Sequence, residues 1–110
     1  MPTEENKVKR KIRDVLNKFY PDLYDFMPVQ FGYGRKTLDY LICMKGRFVA
    51  IEAKAPGKEP TPLQEESIRL IKAAGGKVFV IDGTADTDTY SQLENYLSIL
   101  SKVTSESKGE

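Results

Sequence analysis

Two apolar runs on either side of a Lys-Gly pair constrain the fold of this chain more than any other part of its sequence. The runs Leu38–Met44 and Arg47–Lys54 have the composition and length of β-strands, and Lys45-Gly46 between them is a turn signal. Together they predict an antiparallel hairpin. Pairing about this turn places Asp39, near the start of the first strand, opposite Glu52, near the end of the second.

The rest of the chain predicts three helices and two further strands. Apolar residues at helical spacing predict a first helix from about Glu4 to Phe19, and a short strand is predicted around Val29–Phe31. A threonine cap and a proline at the first helical position begin a second helix over about Pro62–Ala74, which a Gly-Gly pair ends. The run "KVFVID" predicts a strand, and a third helix ends near Ser101. The predicted order is α-β-β-β-α-β-α.

These elements predict an α/β fold with an αβββαβ core, a mixed four-stranded sheet flanked by helices, and an additional C-terminal helix. The third strand, second helix and fourth strand form a βαβ unit with parallel strands, whereas the hairpin is antiparallel. With 110 residues, 40% of them hydrophobic and 30% charged, the chain is expected to form one globular domain over residues 1–103. The polar residues 104–110 are predicted to form a flexible tail.

Residue types and segments that are missing from the sequence exclude several classes of function. The chain has no histidine, which removes His-dependent nucleophilic catalysis and His-ligated zinc. No apolar run approaches the roughly 20 residues that span a bilayer, and the charged N-terminus has no signal sequence. The single cysteine, Cys43, can form no internal disulfide and is predicted to be a small buried residue. We therefore expect a cytoplasmic protein without a membrane partner, whose chemistry depends on acids, lysines and a hard cation.

The end of the second hairpin strand is more polar than a buried strand requires. Ala50, Glu52 and Lys54 share one face, because side chains two apart in a strand point the same way. Two carboxylates brought together at a sheet end repel each other unless a cation lies between them. Asp39 and Glu52, with backbone carbonyls, form a ligand set suited to Mg²⁺ or Mn²⁺, and Lys54 would lie beside that ion. Taken singly, Asp39 is explained as an acid at a strand start, and Glu52 and Lys54 as a surface ion pair. Taken together, the three residues favour a cation site.

The order of these parts is similar to that of a known family. Aspartate followed by Glu-x-Lys on a hairpin, within an αβββαβ core, resembles the PD-(D/E)xK nuclease superfamily, and most of all its VRR-Nuc group, the virus-type replication-repair nucleases. The resemblance covers roughly residues 5–83. Leu38 departs from the pattern, because the motif has proline before the aspartate. The matching residues and motifs are Gly34, Asp39, "IEAK" at 51–54, "TPLQ" ending at Gln64, and "GGKVFVID".

The resemblance implies a metal-dependent endonuclease that hydrolyses phosphodiester bonds, selective for branched DNA such as Holliday junctions or flaps. Its Mg²⁺ or Mn²⁺ would be held by Asp39, Glu52 and the Ala53 carbonyl. Lys54 would orient the attacking water and offset charge on the transition state. Stand-alone members of the group are expected to act as homodimers, here in the cytoplasm of a bacterium or a phage-infected cell.

Two further positions have alternative interpretations. The resemblance implies a metal-binding acid on the first helix, and Glu5 lies closer than Glu4 to the centre of the apolar stripe. An acid in a first helical turn is equally explained by the helix dipole. Gln64 would position the water or Lys54, but Thr61-x-x-Gln64 is also a capping box. Because both roles use one amide, we expect them to compete.

DNA binding requires basic side chains, and the net charge of +1 neither demands nor excludes it. Arg35, Lys36 and Lys58 are the candidates for phosphate contacts, although each is also explained as solvated surface. No base-reading motif is present, so we expect recognition of DNA shape. The main alternative is a non-catalytic DNA-binding or assembly protein on the same fold. A sequence-specific restriction endonuclease is less favoured, because a chain of 110 residues leaves little room for a recognition domain.

Overall fold

The computed structural model describes residues 3–29, 37–84 and 89–102. Over these ranges the chain forms a mixed α/β fold with the predicted order of helices and strands. None of the described helices is long and apolar enough to cross a membrane. The elements are α1 Glu4–Asn17, β1 Leu23–Phe26, β2 Tyr40–Met44, β3 Arg47–Ala53, α2 Pro62–Ala73, β4 Lys77–Ile81 and α3 Thr89–Ser101.

Helix α1 begins where its sequence provides a cap. The Thr3 hydroxyl accepts a hydrogen bond from the Asn6 N–H at 3.0 Å, which satisfies one of the free donors of the first turn. The apolar stripe of α1 packs into the main core, as its spacing predicts. Its buried members are Val8, Ile12, Val15 and Leu16.

The sheet has the strand order β1-β2-β3-β4. β1, β2 and β3 are antiparallel neighbours, whereas β3 and β4 are parallel, as predicted for the hairpin and the βαβ unit. Tyr40 lies opposite Ile51, which is the predicted hairpin register. The turn residues Lys45 and Gly46 have φ angles of 52° and 81°, the left-handed conformation that a two-residue hairpin turn needs.

The predicted position of the first strand is wrong. β1 spans Leu23–Phe26, whereas Val29 lies in no strand and residues 30 and 31 fall outside the described ranges. The run "LYDF" is short and contains an acid, so it lacks a clear strand signal. The acid is neutralised in the fold, because both oxygens of Asp25 accept hydrogen bonds from the Arg13 guanidinium of α1, the shorter at 2.7 Å. An ion pair, together with the buried Leu23, thus fixes this edge strand.

The two faces of the sheet are covered differently. The face toward α1 and α3 carries the main core, and three leucines of α3 are buried in it. The face toward α2 has a small core of Leu38, Ala50 and Ile68. Cys43 points to this second face and is exposed, so its predicted burial is wrong. The reason is that the core beneath α2 is formed mainly with β3 and β4 and includes β2 only at Leu41, two residues from Cys43.

The Gly-Gly pair after α2 has a steric role at one of its two positions and a conformational role at the other. Gly75 has a φ angle of 98°, which side chains other than glycine rarely adopt. A Cβ at Gly76 would lie 2.7 Å from Ile71 Cγ2 and 3.0 Å from Phe48 Cδ2. Glycine therefore lets the chain turn tightly out of α2 and enter β4 beside β3.

Candidate active site

The candidate site lies at the carboxyl end of β3, the central strand shared by the hairpin and the βαβ unit. The parallel ladder continues one residue beyond β3, where the Lys54 N–H donates to the Ile81 carbonyl at 2.9 Å. Alternation along β3 points Glu52 toward α2 and Ala53 toward the main core. Glu52 is 3% exposed and is the one charged residue that is buried in the described part of the chain.

Asp39 and Glu52 each bind the backbone of the segment that carries the other. The Asp39 N–H donates to Glu52 Oε1 at 3.2 Å, and the Ala53 N–H donates to Asp39 Oδ2 at 2.9 Å. The hairpin register therefore brings the two acids side by side. Because backbone donors hold both carboxylates, neither is a freely rotating surface group.

Gln64 connects α2 to this pair through the two ends of its amide. Its Oε1 accepts the Thr61 N–H at 2.9 Å, while the Thr61 hydroxyl accepts the Gln64 N–H at 3.2 Å, which completes the capping box. Its Nε2 donates to Glu52 Oε2 at 2.6 Å. The prediction that capping and site roles compete is wrong, because the carbonyl serves one role and the amino group the other.

Lys54 lies beside the carboxylates on the same side of the strand. Its Nζ is 3.8 Å from Glu52 Oε2, and its side chain is 13% exposed. An ammonium has three donors, so this contact leaves donors for a water or a phosphate oxygen. Partial burial also weakens solvent screening, which makes the charge of Lys54 more effective here than at a surface.

Burial raises the pKa of Glu52 from 4.5 to about 7. The charge of Asp39 acts in the same direction and that of Glu5 adds a smaller contribution, whereas Lys54 and the Asp39 N–H act in the opposite one. The ionised carboxylate is thus poorly stabilised by the protein alone. A cation between Asp39 and Glu52 would stabilise it.

Glu5 lies near enough to affect Glu52, but its carboxylate has a different partner. It is 3.5 Å from Lys9 Nζ, and its side chain is 41% exposed. Glu4 is paired with Lys7 and is more exposed, and it does not contribute to the pKa of Glu52. No three His, Cys, Asp or Glu side chains form a metal-binding group within residues 3–29, 37–84 and 89–102. A direct bond from Glu5 to an ion therefore stays a prediction.

The chemistry of Asp39 and Glu52 nevertheless fits a hard cation. Each carboxylate oxygen has two lone pairs, so the hydrogen bonds that they accept leave room for a metal bond. Mg²⁺ commonly takes only one or two carboxylates in proteins and completes its shell with water and phosphate oxygens. Ala53 is held at the site through its N–H, and the role of its carbonyl as a ligand stays a prediction.

The residues predicted to bind DNA are only partly described. Arg35 and Lys36 lie outside the described residues. Lys58 is exposed in the loop between β3 and α2, where its N–H donates to the Ala55 carbonyl at 3.0 Å. A phosphate contact from Lys58 stays a prediction.

Asp82 fixes this loop, and the sequence analysis did not identify it. Its Oδ2 accepts the Gly57 N–H at 3.3 Å and its Oδ1 accepts the Thr84 N–H at 3.0 Å. These bonds, above all the one from Thr84, lower the pKa of Asp82. The available signal was its position at the end of "KVFVID", since parallel strands place their carboxyl ends at one edge of the sheet.

Comparisons with protein-family models, with curated proteins and with solved structures find no match for this chain. The fold that is established is therefore the mixed four-stranded α/β arrangement itself. Any functional conclusion depends on the residues and their geometry.

Proposed function

We propose that this chain is a Mg²⁺- or Mn²⁺-dependent endonuclease that hydrolyses phosphodiester bonds in branched DNA. The observation that supports this most is the contact network of Asp39, Glu52 and Lys54 at one strand end. A structural ion pair needs one acid and one base. A second carboxylate against a buried one destabilises the apoprotein, and a function as a cation site explains why it is present.

The residues have distinct roles in this proposal. A divalent ion held by Asp39 and Glu52, with the Ala53 carbonyl, would supply Lewis-acid chemistry for the attack of water on the phosphate. Lys54 would donate to the attacking water or to a phosphate oxygen and offset negative charge as it develops. Gln64 keeps Glu52 Oε2 in one orientation through its 2.6 Å hydrogen bond. Glu5 would complete the ion's shell directly or through water.

Branched DNA is proposed from the VRR-Nuc resemblance, together with the lack of a base-reading motif in these 110 residues. We also propose that two copies act together as a homodimer, so that two sites address two strands, in the cytoplasm of a bacterium or a phage-infected cell. Arg35, Lys36 and Lys58 are the proposed phosphate contacts.

A non-catalytic DNA-binding or assembly protein is the second candidate. It is favoured by one observation: protein donors already bind both oxygens of Glu52. In that case the network would only orient α2 on the sheet. The two candidates differ in whether the site needs a metal to act.

Cleavage of flap, splayed-arm and four-way DNA, with and without Mg²⁺ or Mn²⁺, tests the proposal. We expect metal-dependent cutting that falls on the order of a hundredfold or more in Lys54→Ala, as for loss of one donor to a transition state. Lys18→Ala is the matched control, because Lys18 is an exposed lysine paired with Glu94 at 3.1 Å on the α1–α3 side. Equal cutting by wild type and Lys54→Ala would contradict the proposal.

A further inference from the structure

Three aromatic side chains lie on the part of the sheet that α2 leaves uncovered. The register places Tyr24, Cys43 and Phe48 in one row across β1, β2 and β3. Phe26 and Leu41 form the next row, in which Leu41 is half-buried against the small core. Tyr24 is 70% exposed, Phe26 54% and Phe48 44%. We call these five residues the aromatic platform; a patch of this kind is typical of a binding surface.

Helix α2 forms one wall of the platform. Leu63 and Leu70 fall on one flank of α2, and Ala74, the C-cap residue, follows on the same side, because residues four or seven apart share a helix side. Leu70 and Ala74 line an open cavity of about 520 Å³ together with Phe48, so this flank faces the platform. Leu63 and Leu70 are exposed as well. Phe48 thus lines an apolar cavity beside the C-terminal half of α2, next to the other platform residues.

The platform lies close to the candidate active site. Ala50 and Glu52 continue the face of Phe48 toward the end of β3, where both are buried beneath α2. Phe26 lies two strands across and two residues back from Glu52, a separation of about 12 Å. A strand lying on the rings would therefore reach the carboxylates within a few nucleotides.

The charges around the platform fit a polyanion. Apart from Glu52 at the site, β1, β2 and β3 place no acid on this face, because Asp25 points to the other face and pairs with Arg13. Arg47 is exposed and lines the cavity beside Phe48. A negatively charged backbone would be attracted to Arg47, and the acid that α2 carries beside Leu63 and Leu70, Glu66, is paired with Arg69.

The spacing of the rings favours unpaired bases over a duplex. Rings two residues apart on a strand are separated by about 7 Å, and rings two strands apart by about 10 Å. Both separations exceed the roughly 3.4 Å per nucleotide of a stacked strand. Bases in a duplex are stacked and paired, so their faces are unavailable, whereas bases of a single strand can each lie on an aromatic ring.

We propose that the aromatic platform binds unpaired bases of single-stranded DNA and directs the adjoining duplex to Asp39 and Glu52. The inference rests on the proposed function, since it specifies the DNA that the same site takes. That DNA carries a single-stranded arm, as flaps and splayed arms do. A fully paired four-way junction has no unpaired bases that could stack on the rings of the platform.

The one cysteine of the chain provides a direct test, because Cys43 lies at the centre of the platform. Its alkylation rate is measured on the 110-residue chain with Lys54→Ala, without divalent ions, with and without a short oligothymidylate strand or a blunt-ended duplex of two strands. We expect the single strand to slow alkylation and the duplex to leave it unchanged. Binding that leaves the alkylation rate unchanged would overturn the inference.

Variants separate ring stacking from other contacts. Tyr24→Ala and Phe26→Ala should each weaken binding of the oligothymidylate by about tenfold, while Tyr24→Phe, which keeps the ring, should bind as wild type. Ile99→Ala is the matched control, since Ile99 is 65% exposed on α3 and lies away from the platform. Unchanged affinity in both alanine variants would overturn the inference. Cys43 protection that increases with protein concentration without DNA would also overturn it, by identifying the platform as a contact between copies.

The outcomes separate this inference from the proposed function. Single-strand protection of Cys43 without any metal-dependent cutting would support the platform and contradict the nuclease. Metal-dependent cutting of four-way and splayed DNA alike, with Cys43 fully reactive, would support the nuclease and overturn the platform.

Discussion

The two faces of the sheet differ in what covers them. On the closed face, toward α1 and α3, side chains such as Tyr40 and Leu97 are buried, and the one acid of β1 is paired with Arg13. On the open face, toward α2, aromatic rings are exposed, and a buried acid, Glu52, lies at its end. The comparison indicates that the closed face supplies most of the folding free energy. The open face holds exposed aromatic rings and a buried carboxylate, which stabilise the folded protein less.

Matched leucine truncations on the two faces should give the largest difference. Leu97→Ala on α3 removes a fully buried side chain and should destabilise the protein by about 2–5 kcal/mol. Leu63→Ala on α2, where the leucine is 65% exposed, should change the free energy of unfolding by less than about 0.5 kcal/mol. Urea denaturation of both variants measures this. Similar losses in the two would show that the open face is covered in solution.

The pH dependence of stability should come from the open face. The pKa of Glu52 is about 7 in the folded protein and about 4.5 when unfolded, so the folded state binds the proton more tightly. Its contribution is fully present below pH 4.5 and is lost as the pH rises through about 7, by up to about 3 kcal/mol. Glu52→Gln stays neutral and should lack this loss. Thermal unfolding of both proteins between pH 4.5 and pH 8, in a chelator, measures the difference.

The closed face offers the control for this pH effect. Glu94 pairs with Lys18 at 3.1 Å and is 39% exposed, so Glu94→Gln should keep the wild-type pH dependence. If wild type and Glu52→Gln run parallel over the whole range, Glu52 is not the buried, destabilised carboxylate that the geometry describes.

Features that depend on local sequence were predictable from the chain. The hairpin, its turn and its register follow from two apolar runs about Lys45-Gly46, and that register alone places Asp39 beside Glu52. Helices α1 and α2 have caps three residues from their partners, so their first turns could also be predicted. The central residues of the candidate site could be predicted from the sequence because they lie on one hairpin and one capped helix.

Features that depend on coverage by distant elements were not predictable. β1 is an edge strand whose acid is neutralised by Arg13 of α1, and no local pattern contains that pairing. Cys43 was expected to be buried because its neighbours are apolar, yet exposure depends on which strands α2 covers. Gln64 binds the helix cap with one end of its amide and Glu52 with the other. Predicting this would have required knowing how close the N-terminus of α2 lies to Glu52.

Gln64 allows a smaller test of the coupling between α2 and the open-face site. Gln64→Glu keeps the capping-box acceptor, because glutamate caps as glutamine does, but it replaces the Nε2 donor with an oxygen against Glu52. We expect a loss of about 2 kcal/mol at pH 8. Thr61→Ala, which removes only a cap contact, should cost about 1 kcal/mol. Wild-type stability of Gln64→Glu would show that Gln64 only caps the helix.

The smallest expected effect is stabilisation by the metal itself, and it bears most directly on why the open face carries destabilising charge. A ligand that binds only the folded state at ten times its Kd adds about 1.4 kcal/mol. Mg²⁺ or Mn²⁺ should therefore raise the Tm of the wild type modestly at pH 8, where Glu52 is ionised. The gain should shrink at pH 5, because protons then compete for the same carboxylate.

Asp39→Asn should lose the gain in Tm, whereas Asp22→Asn, which alters an acid paired with Lys45 near the hairpin turn, should keep it. An equal rise in Tm in all three proteins would show that the metal acts by general screening of charge. The proximity of Asp39 and Glu52 would then not be explained by a bound cation.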